Sequence, residues 1–242
     1  MGAIIMDDLS ISLIVPTFDS KRPLADVIKS FLSQKLVDGD ELLIGIDCHS
    51  TPLNDNVKKL ERIEHIKKIE TTILSFNSPL IKYYKFDTGH NCWGHCIINS
   101  LILNAKGNFL MFMDDDDMLL PESFSKIREV LKSTYAPLHC SCCGHKMPMV
   151  KAPILFKVFS PKNEANKTSA YWWRTRDVVN GGVGGHNLIT PNIPDRLGRF
   201  TCIYPGDAAF VTETLNKWGG AVEWREEVIL NIRVWKDSKP IG

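Results

Sequence analysis

The chain has 242 residues, 44% of them apolar, enough to bury a real core in one large domain or one domain with an appendage. Its 29 Lys and Arg against 28 Asp and Glu exclude the overall basicity of a nucleic-acid coat and the acidity of a disordered tail. No apolar stretch reaches the length of a membrane-spanning helix, and the opening MGAIIMDDLS is too short and too acidic for a secretory signal. A soluble, intracellular protein is therefore expected, with its 7 cysteines as reduced thiols. Gly2 resembles a myristoylation start, but Met6 stands where Ser or Thr is wanted. Residues 1–150 carry 16 basic and 19 acidic side chains and residues 151–242 carry 13 and 9, so the C-terminal part is the one that suits an anionic ligand.

In chain order, ISLIVP (11–16) is an apolar run stopped by Pro16, which predicts a strand buried on both faces. PLADVIKSFLSQ has helical spacing at Leu24, Val27, Ile28, Phe31 and Leu32. ELLIGID predicts a second buried strand, and the charged, periodic stretch from Leu53 to Ile69 a helix. IKYYKF (81–86) is a third strand, NCWGHCIINSLILNA a helix ending before Gly107, and NFLMFM a fourth strand. PESFSKIREVLKS opens with Pro121 at a plausible first helical position and Glu122 in the first turn. Strand and helix alternate over the first 135 residues or so, the pattern of an α/β fold with a mostly parallel sheet. The remainder has short strand-like runs (PILFKVFS, HNLIT, EVILNIRVW), a glycine-rich NGGVGG loop, and one clear helix, AAFVTETLNKW, closed by Gly219 and Gly220. No internal repeat, low-complexity tract or linker is present.

The fourth strand runs straight into Asp114, Asp115, Asp116 and Asp117. In doubly wound sheets, ligands bind beyond the carboxyl ends of the strands. Two carboxylates about 4 Å apart repel by roughly 4 kcal/mol at an effective dielectric near 20. Such a cluster is either a solvated acidic turn or the seat of a cation. Hard oxygen ligands select Mg²⁺, Mn²⁺ or Ca²⁺ over zinc. Met118 and Leu119 exclude an EF-hand, and Mg²⁺ needs only one or two protein carboxylates beside water and substrate phosphates.

The pattern D-x-D-D-x-x-x-P after an apolar strand resembles the metal motif of family 2 glycosyltransferases with the GT-A fold. Asp114, Asp116 and Asp117 take the acids, Asp115 the variable position and Pro121 the proline. ISLIVPTFD is similar to the family's first strand and nucleotide loop. LLIGIDCHS resembles its second strand ending in D-D-G-S; Asp47 and Ser50 match, and Cys48 and His49 depart. NSLILNAKGNFLMFMDDDD resembles the helix leading into the metal strand, with Asn99, Ala105 and Gly107 matching. Ile98 stands at a frequent Arg and Leu101 at a Gly. RLGRFTCIYPGDAAFV looks like G-G-F followed by G-E-D, with Asp207 at the acid that serves as base and Gly206 in place of the Glu. ILNIRVWKDS resembles the closing Y-R-x-H-x-x-S, with Arg233 and Ser238 matching and Trp235 at the His.

The resemblance implies a GT-A fold: a Rossmann-like nucleotide-sugar half (1–135) merged with a smaller acceptor half (136–242) in one domain. It implies an inverting transfer from a nucleotide-diphosphate sugar, most simply a UDP-sugar, to an acceptor hydroxyl. Mn²⁺ or Mg²⁺ on Asp116 and Asp114 would neutralise the diphosphate, although Asp114 could instead bond the ribose. Pro16, Thr17, Asp19, Asp47, Asn99, Asp114, Asp115 and Arg233 are expected to hold the nucleotide sugar. From the residues alone, Thr17 and Asp19 also read as a plain turn after Pro16. Asp207 is expected to act as general base, yet it also suits a helix N-cap, where an anion is stabilised and weakened as a base.

Other features are weighed against simpler roles. No second cysteine pair follows HCSCCGHK (139–146) to complete a zinc site, and the segment reads as a buried strand. His90, Cys92, His95 and Cys96 fall together at a helix start without a motif. GGVGGHN neither follows a clear strand nor opens a helix, so Gly184, Gly185 and His186 read as a flexible loop near the acceptor. Trp172, Trp173 and Arg174 could stack on a sugar or base, or form a core strand with an arginine flank. The acceptor is expected to be a glycan or, as in phage-type glycosyltransferases, a hydroxymethylated base in DNA. A nucleotide-sugar-binding module without turnover is the remaining alternative.

Overall fold

A computed structural model of the chain describes residues 9–18, 24–48, 56–87, 94–134, 151–159, 170–171, 183–202 and 206–231. Four parallel strands form its N-terminal half: β1 (Ile11–Thr17), β2 (Glu41–Asp47), β3 (Ile81–Phe86) and β4 (Phe109–Phe112). They lie in the order β3-β2-β1-β4, with Thr17 opposite Ile46 and Ile14 opposite Phe112. Every residue of β1 and β4 is buried, as expected of central strands covered on both faces.

Beyond β4 the sheet becomes mixed. β8 (Leu188–Pro191) pairs antiparallel to β4, then come β6 (Ile154–Phe159), β9 (Glu223–Asn231) and β5 (Met118–Leu119). A two-residue strand β7 (Ala170–Tyr171) sits on β6. The run of acids therefore ends in a short strand, β5, which pairs antiparallel with β9. No periodicity signals so short an element.

The side-chain alternation of β1 separates two layers. Ile11, Leu13 and Val15 face α1 (Leu24–Leu32), α2 (Asn56–Leu74) and α4 (Ser123–Ser133). Ile14, with Leu43, Leu110 and Phe112, faces α3 (His95–Ile102) and α5 (Gly206–Lys217). Gly45 lets α3 approach, since a Cβ there would lie 2.2 Å from Ile97 Cγ2. On the α5 side, Phe200 stacks on Phe210 at 4.0 Å between centroids, and Phe112 meets both rings edge-on. Each such aromatic pair contributes about 0.5–1.5 kcal/mol beyond its burial.

The α4 helix starts at Ser123, not at Pro121; Glu122 precedes it at φ 62°. Pro121 and Glu122 form a turn that carries the chain from β5 into the helix. The HNLIT stretch is split between a 3-10 turn, Gly185–Asn187, and β8. The HCSCCGHK segment lies outside the described residues. No described helix is long and apolar enough to cross a membrane.

Buried charge pins the strand starts. Asp40 accepts Ile11 N–H and Val37 N–H at 2.8 Å each and pairs with Arg128 of α4. Arg128 also donates to the carbonyls of Leu9 and Lys35. Removing one partner of a buried, hydrogen-bonded pair strands the other charge. Asp40→Ala is expected to lower stability by about 3–5 kcal/mol, read as a fall in denaturant midpoint at unchanged slope.

Candidate active site

The carboxyl ends of β1, β2 and β4 lie side by side, which brings Thr17, Asp47 and the four aspartates to one edge of the sheet. The acids alternate: Asp114 is exposed and Asp116 half-buried, whereas Asp115 and Asp117 are 2% and 1% exposed. Thr17 Oγ1 donates to Asp115 Oδ2 at 2.6 Å, and Asp117 N–H closes a turn onto the Asp114 carbonyl. Asp115, one of the residues expected to hold the nucleotide sugar, is buried and joins the end of β1 to the turn. The cause is the tight turn, which sends successive side chains to opposite sides. The carboxylates left facing outward are Asp114 and Asp116.

Arg62 of α2 ties the neighbouring strand ends together. Its guanidinium donates to the carbonyls of Phe18 and Asp47 and lies over the Phe18 ring, 3.8 Å from its centroid. Sequence reasoning missed it, because in LERIEHIKK one arginine among charged neighbours carries no distinguishing mark. Asn99 donates to the Phe200 carbonyl at 2.8 Å and accepts Phe200 N–H at 3.1 Å. Its amide, expected at the nucleotide, holds the segment leading to Thr201 in this structure.

Asp207 lies in the first turn of α5, and its carboxylate points across to other elements. His95 at the start of α3 contacts Asp207 Oδ1 through Nε2 at 2.9 Å and the Thr201 carbonyl through Nδ1 at 2.6 Å. Gly185 N–H approaches Asp207 Oδ2 at 3.5 Å. The expected acceptor turn of Gly184, Gly185 and His186 is therefore beside the expected base; it is a 3-10 turn held by Asn187, which accepts Gly184 N–H and donates to the Phe156 carbonyl.

Burial alone would raise the Asp207 carboxyl, but the hydrogen bond from His95 and the charges of His186 and His95 hold it below its ordinary value. Burial alone would lower His95, but its bonds to Asp207 and Thr201 and the nearby charges of Asp207 and Asp114 hold it above its ordinary value. Burial pushes His186 down, with Asp207 opposing it in part. His95 was legible only as one of several His and Cys residues at a helix start. Its partner lies more than a hundred residues along the chain, so spacing carries no signal.

Cys96 is a free thiol whose sulfur lies 2.9 Å from that of Cys202, and Cys202 is itself disulfide-bonded. The bond at Cys202 departs from the expectation of uniformly reduced thiols. Asp19, Trp172, Trp173, Arg174, Arg233 and Trp235 lie outside the described residues. Among the described residues, no group of three or more His, Cys, Asp or Glu forms a ready-made metal cluster.

A parallel half-sheet with acids beyond its carboxyl edge, joined to a mixed half that supplies a further carboxylate, defines an α/β domain with a ligand-binding strand edge. Residues 12–150 match the Glycosyl transferase family 2 model, and the chain belongs to that family. Solved structures of GT-A type share its fold. S. aureus TarS superposes with a TM-score of 0.60 at 13% identity, over 93% of this chain and 37% of that one. TarS 1–349 in complex with UDP-GlcNAc gives 0.61 at 13% identity, over 95% and 60%. Mannosyltransferase PcManGT from Pyrobaculum calidifontis, in complex with GDP-Man and Mn²⁺, gives 0.58 at 14% identity, over 95% and 58%. The chain thus spans about 60% or less of the length of these relatives. No curated protein sequence matches it.

Thr17→Val is expected to cost about 1–3 kcal/mol, because it leaves the buried Asp115 oxygen short of a donor; thermal melts would show it. The Asp207–His95 pair gives a second expectation. A depressed carboxyl stabilises above its ordinary 3.8 and stops doing so as pH falls through its lower folded value. A raised imidazole stabilises below its ordinary 6.5 and stops doing so as pH rises through its higher folded value. The melting-temperature gap between wild type and His95→Gln should be widest between about pH 3.8 and 6.5 and close at higher pH.

Proposed function

We propose that the chain is an inverting, metal-assisted glycosyltransferase that moves a sugar from a nucleotide diphosphate to an acceptor hydroxyl. The observation that carries this reading is the disposition of carboxylates. Asp114 and Asp116 face outward at the strand edge, while Asp207 stands on α5 with Oδ2 beside the Gly185 turn. Family membership supports it, as do neighbours whose structures hold UDP-GlcNAc and GDP-Man with Mn²⁺. Residues 1–135 would serve the donor and residues 136–242 the acceptor.

Two outward carboxylates of hard oxygen character fit Mn²⁺ or Mg²⁺, which leave their other positions to water and phosphate. Asp116 and Asp114 would hold the ion, which supplies Lewis-acid neutralisation of the diphosphate when bound. This chain's own residues do the rest. Asp47, fixed through its carbonyl by Arg62, would accept from the nucleobase. Pro16 and Thr17, with Asp19 beyond them, would form the wall beside it, and Arg233 would meet the diphosphate. Asp207 would take the proton of the acceptor hydroxyl as its oxygen bonds to the anomeric carbon. The bond from that carbon to the diphosphate oxygen breaks, its electron pair leaves with the diphosphate, and the anomeric configuration inverts. Trp172, Trp173 and Arg174, with Gly184, Gly185 and His186, would receive the acceptor.

The test is turnover of a panel of UDP- and GDP-sugars with Mn²⁺. Products on glycans and on hydroxymethylcytosine DNA would be read by mass spectrometry and their anomeric configuration by NMR. Asp207→Asn should cut kcat about 10²- to 10⁴-fold while calorimetric donor binding persists, and Asp116→Asn should weaken donor binding only when the metal is present. Full turnover by Asp207→Asn would sink the assignment of the base. Donor binding with no product on any acceptor would point to a binding module.

A further inference from the structure

Gly206 stands where the resemblance places a glutamate, directly before the expected base. A Cβ at Gly206 would lie 2.5 Å from His95 Cε1 and Nδ1 and 2.3 Å from the Thr201 carbonyl oxygen. No side chain fits there while His95 and the Thr201 carbonyl hold their places. The imidazole occupies the flank of Asp207 that a larger residue at 206 would otherwise claim.

The ring is fixed from several sides. Gly94, at φ +79°, lets the start of α3 press on the end of β1; a Cβ there would lie 2.7 Å from Pro16 Cβ. The Phe200 ring lies 5.6 Å away, and the His95 side chain is 8% exposed against 40% for Asp207. The Thr201 carbonyl can only accept, so Nδ1 carries a hydrogen. An ionised Asp207 can only accept as well, so Nε2 must carry one too. A neutral ring with its hydrogen on Nδ1 would set a bare lone pair against the carboxylate. The geometry therefore suits an imidazolium donating from both nitrogens, which also means that His95 has no free nitrogen to act as the base itself.

We propose that His95 is a positioning residue for the transfer: its two N–H bonds lock Asp207 to the Thr201 carbonyl and leave Oδ2 on the Gly185 side to receive the acceptor proton. This rests on the reading of Asp207 as base. The other titratable groups that act on the pair are Asp114 beyond β4 and His186 of the Gly185–Asn187 turn. Asp114 reinforces the charge on His95, and His186, where protonated, holds the Asp207 anion.

The experiment compares wild type, His95→Gln, His95→Ala, Gly206→Ala and Asp207→Asn in the transferase assay across pH. Circular dichroism confirms folding, and ¹⁵N shifts of the imidazole in the full chain report ring protonation without any need for activity. His95→Gln and His95→Ala should lower kcat about tenfold or more, but by less than the roughly 10²–10⁴ that a general base itself contributes, with the donor KM unchanged. The acid limb of the rate profile should move to higher pH, because Asp207 loses the donor that holds it down. Gly206→Ala should give the same phenotype by displacing the ring and the Thr201 carbonyl that holds it, and the His95 imidazole should lose its second proton at lower pH in Asp207→Asn than in wild type. Folded His95→Gln with unaltered kcat and acid limb, or a wild-type ring already neutral near pH 6, would overturn the proposal. If Asp207→Asn abolishes turnover while His95→Gln does not reduce it, only this inference fails. If Asp207→Asn turns over normally, the reading of the base fails first.

Discussion

The bond from Thr17 to Asp115 decides how four consecutive acids share one strand end. Aspartates crowded beside a buried strand repel, and a chain that left all four facing one way would hold them together only at a cost. By drawing Asp115 inward onto the β1 hydroxyl, the turn commits alternate carboxylates to opposite sides. Asp115 and Asp117 become part of the packing, and Asp114 and Asp116 become the outward pair. The hydroxyl can make this contact only because β1 and β4 are parallel neighbours, with Ile14 opposite Phe112.

A second linkage runs from that strand edge to α5. Gly94 lets α3 begin against Pro16, the next residue is His95, and His95 reaches Asp207 across the Phe200 ring. Asn99, one turn further along α3, grips the Phe200 backbone in both directions. A helix of eight residues and its preceding glycine thus sit between the end of β1 and the α5 carboxylate. Arg62 does comparable work on the other side, joining the ends of β1 and β2 through their carbonyls.

The elements of the N-terminal half were legible because each is signalled locally. Apolar runs of strand length, helical spacing such as Leu24-Val27-Ile28-Phe31, and glycines at helix ends are properties of a few neighbouring residues. Where local signals misled, a tertiary contact overrode them. Pro121 looked like a helix start, yet the chain first pairs as β5 with β9, so α4 begins two residues later. Leu188 and Ile189 were expected in the same strand as His186, but Asn187 turns back to hold Gly184 and Phe156. The candidate site divides in the same way. Asp114, Asp116 and Asp207 stood out by position in a pattern, whereas Arg62 and the role of His95 did not, because their partners are remote in sequence.

The sequence by itself determined the alternating order of strands and helices, the parallel character of the first sheet half, and the family to which the chain belongs. These follow from periodicity and from residue types in register, and neither needs knowledge of what touches what. Only the tertiary structure decided which aspartates face outward, that Asn99 serves the backbone of Phe200, and that Asp207 is gripped by His95 in the space vacated at Gly206. The physical reason is range. Backbone propensity acts over a few residues, but hydrogen bonds and charge act through space, between groups that the packed fold alone brings together.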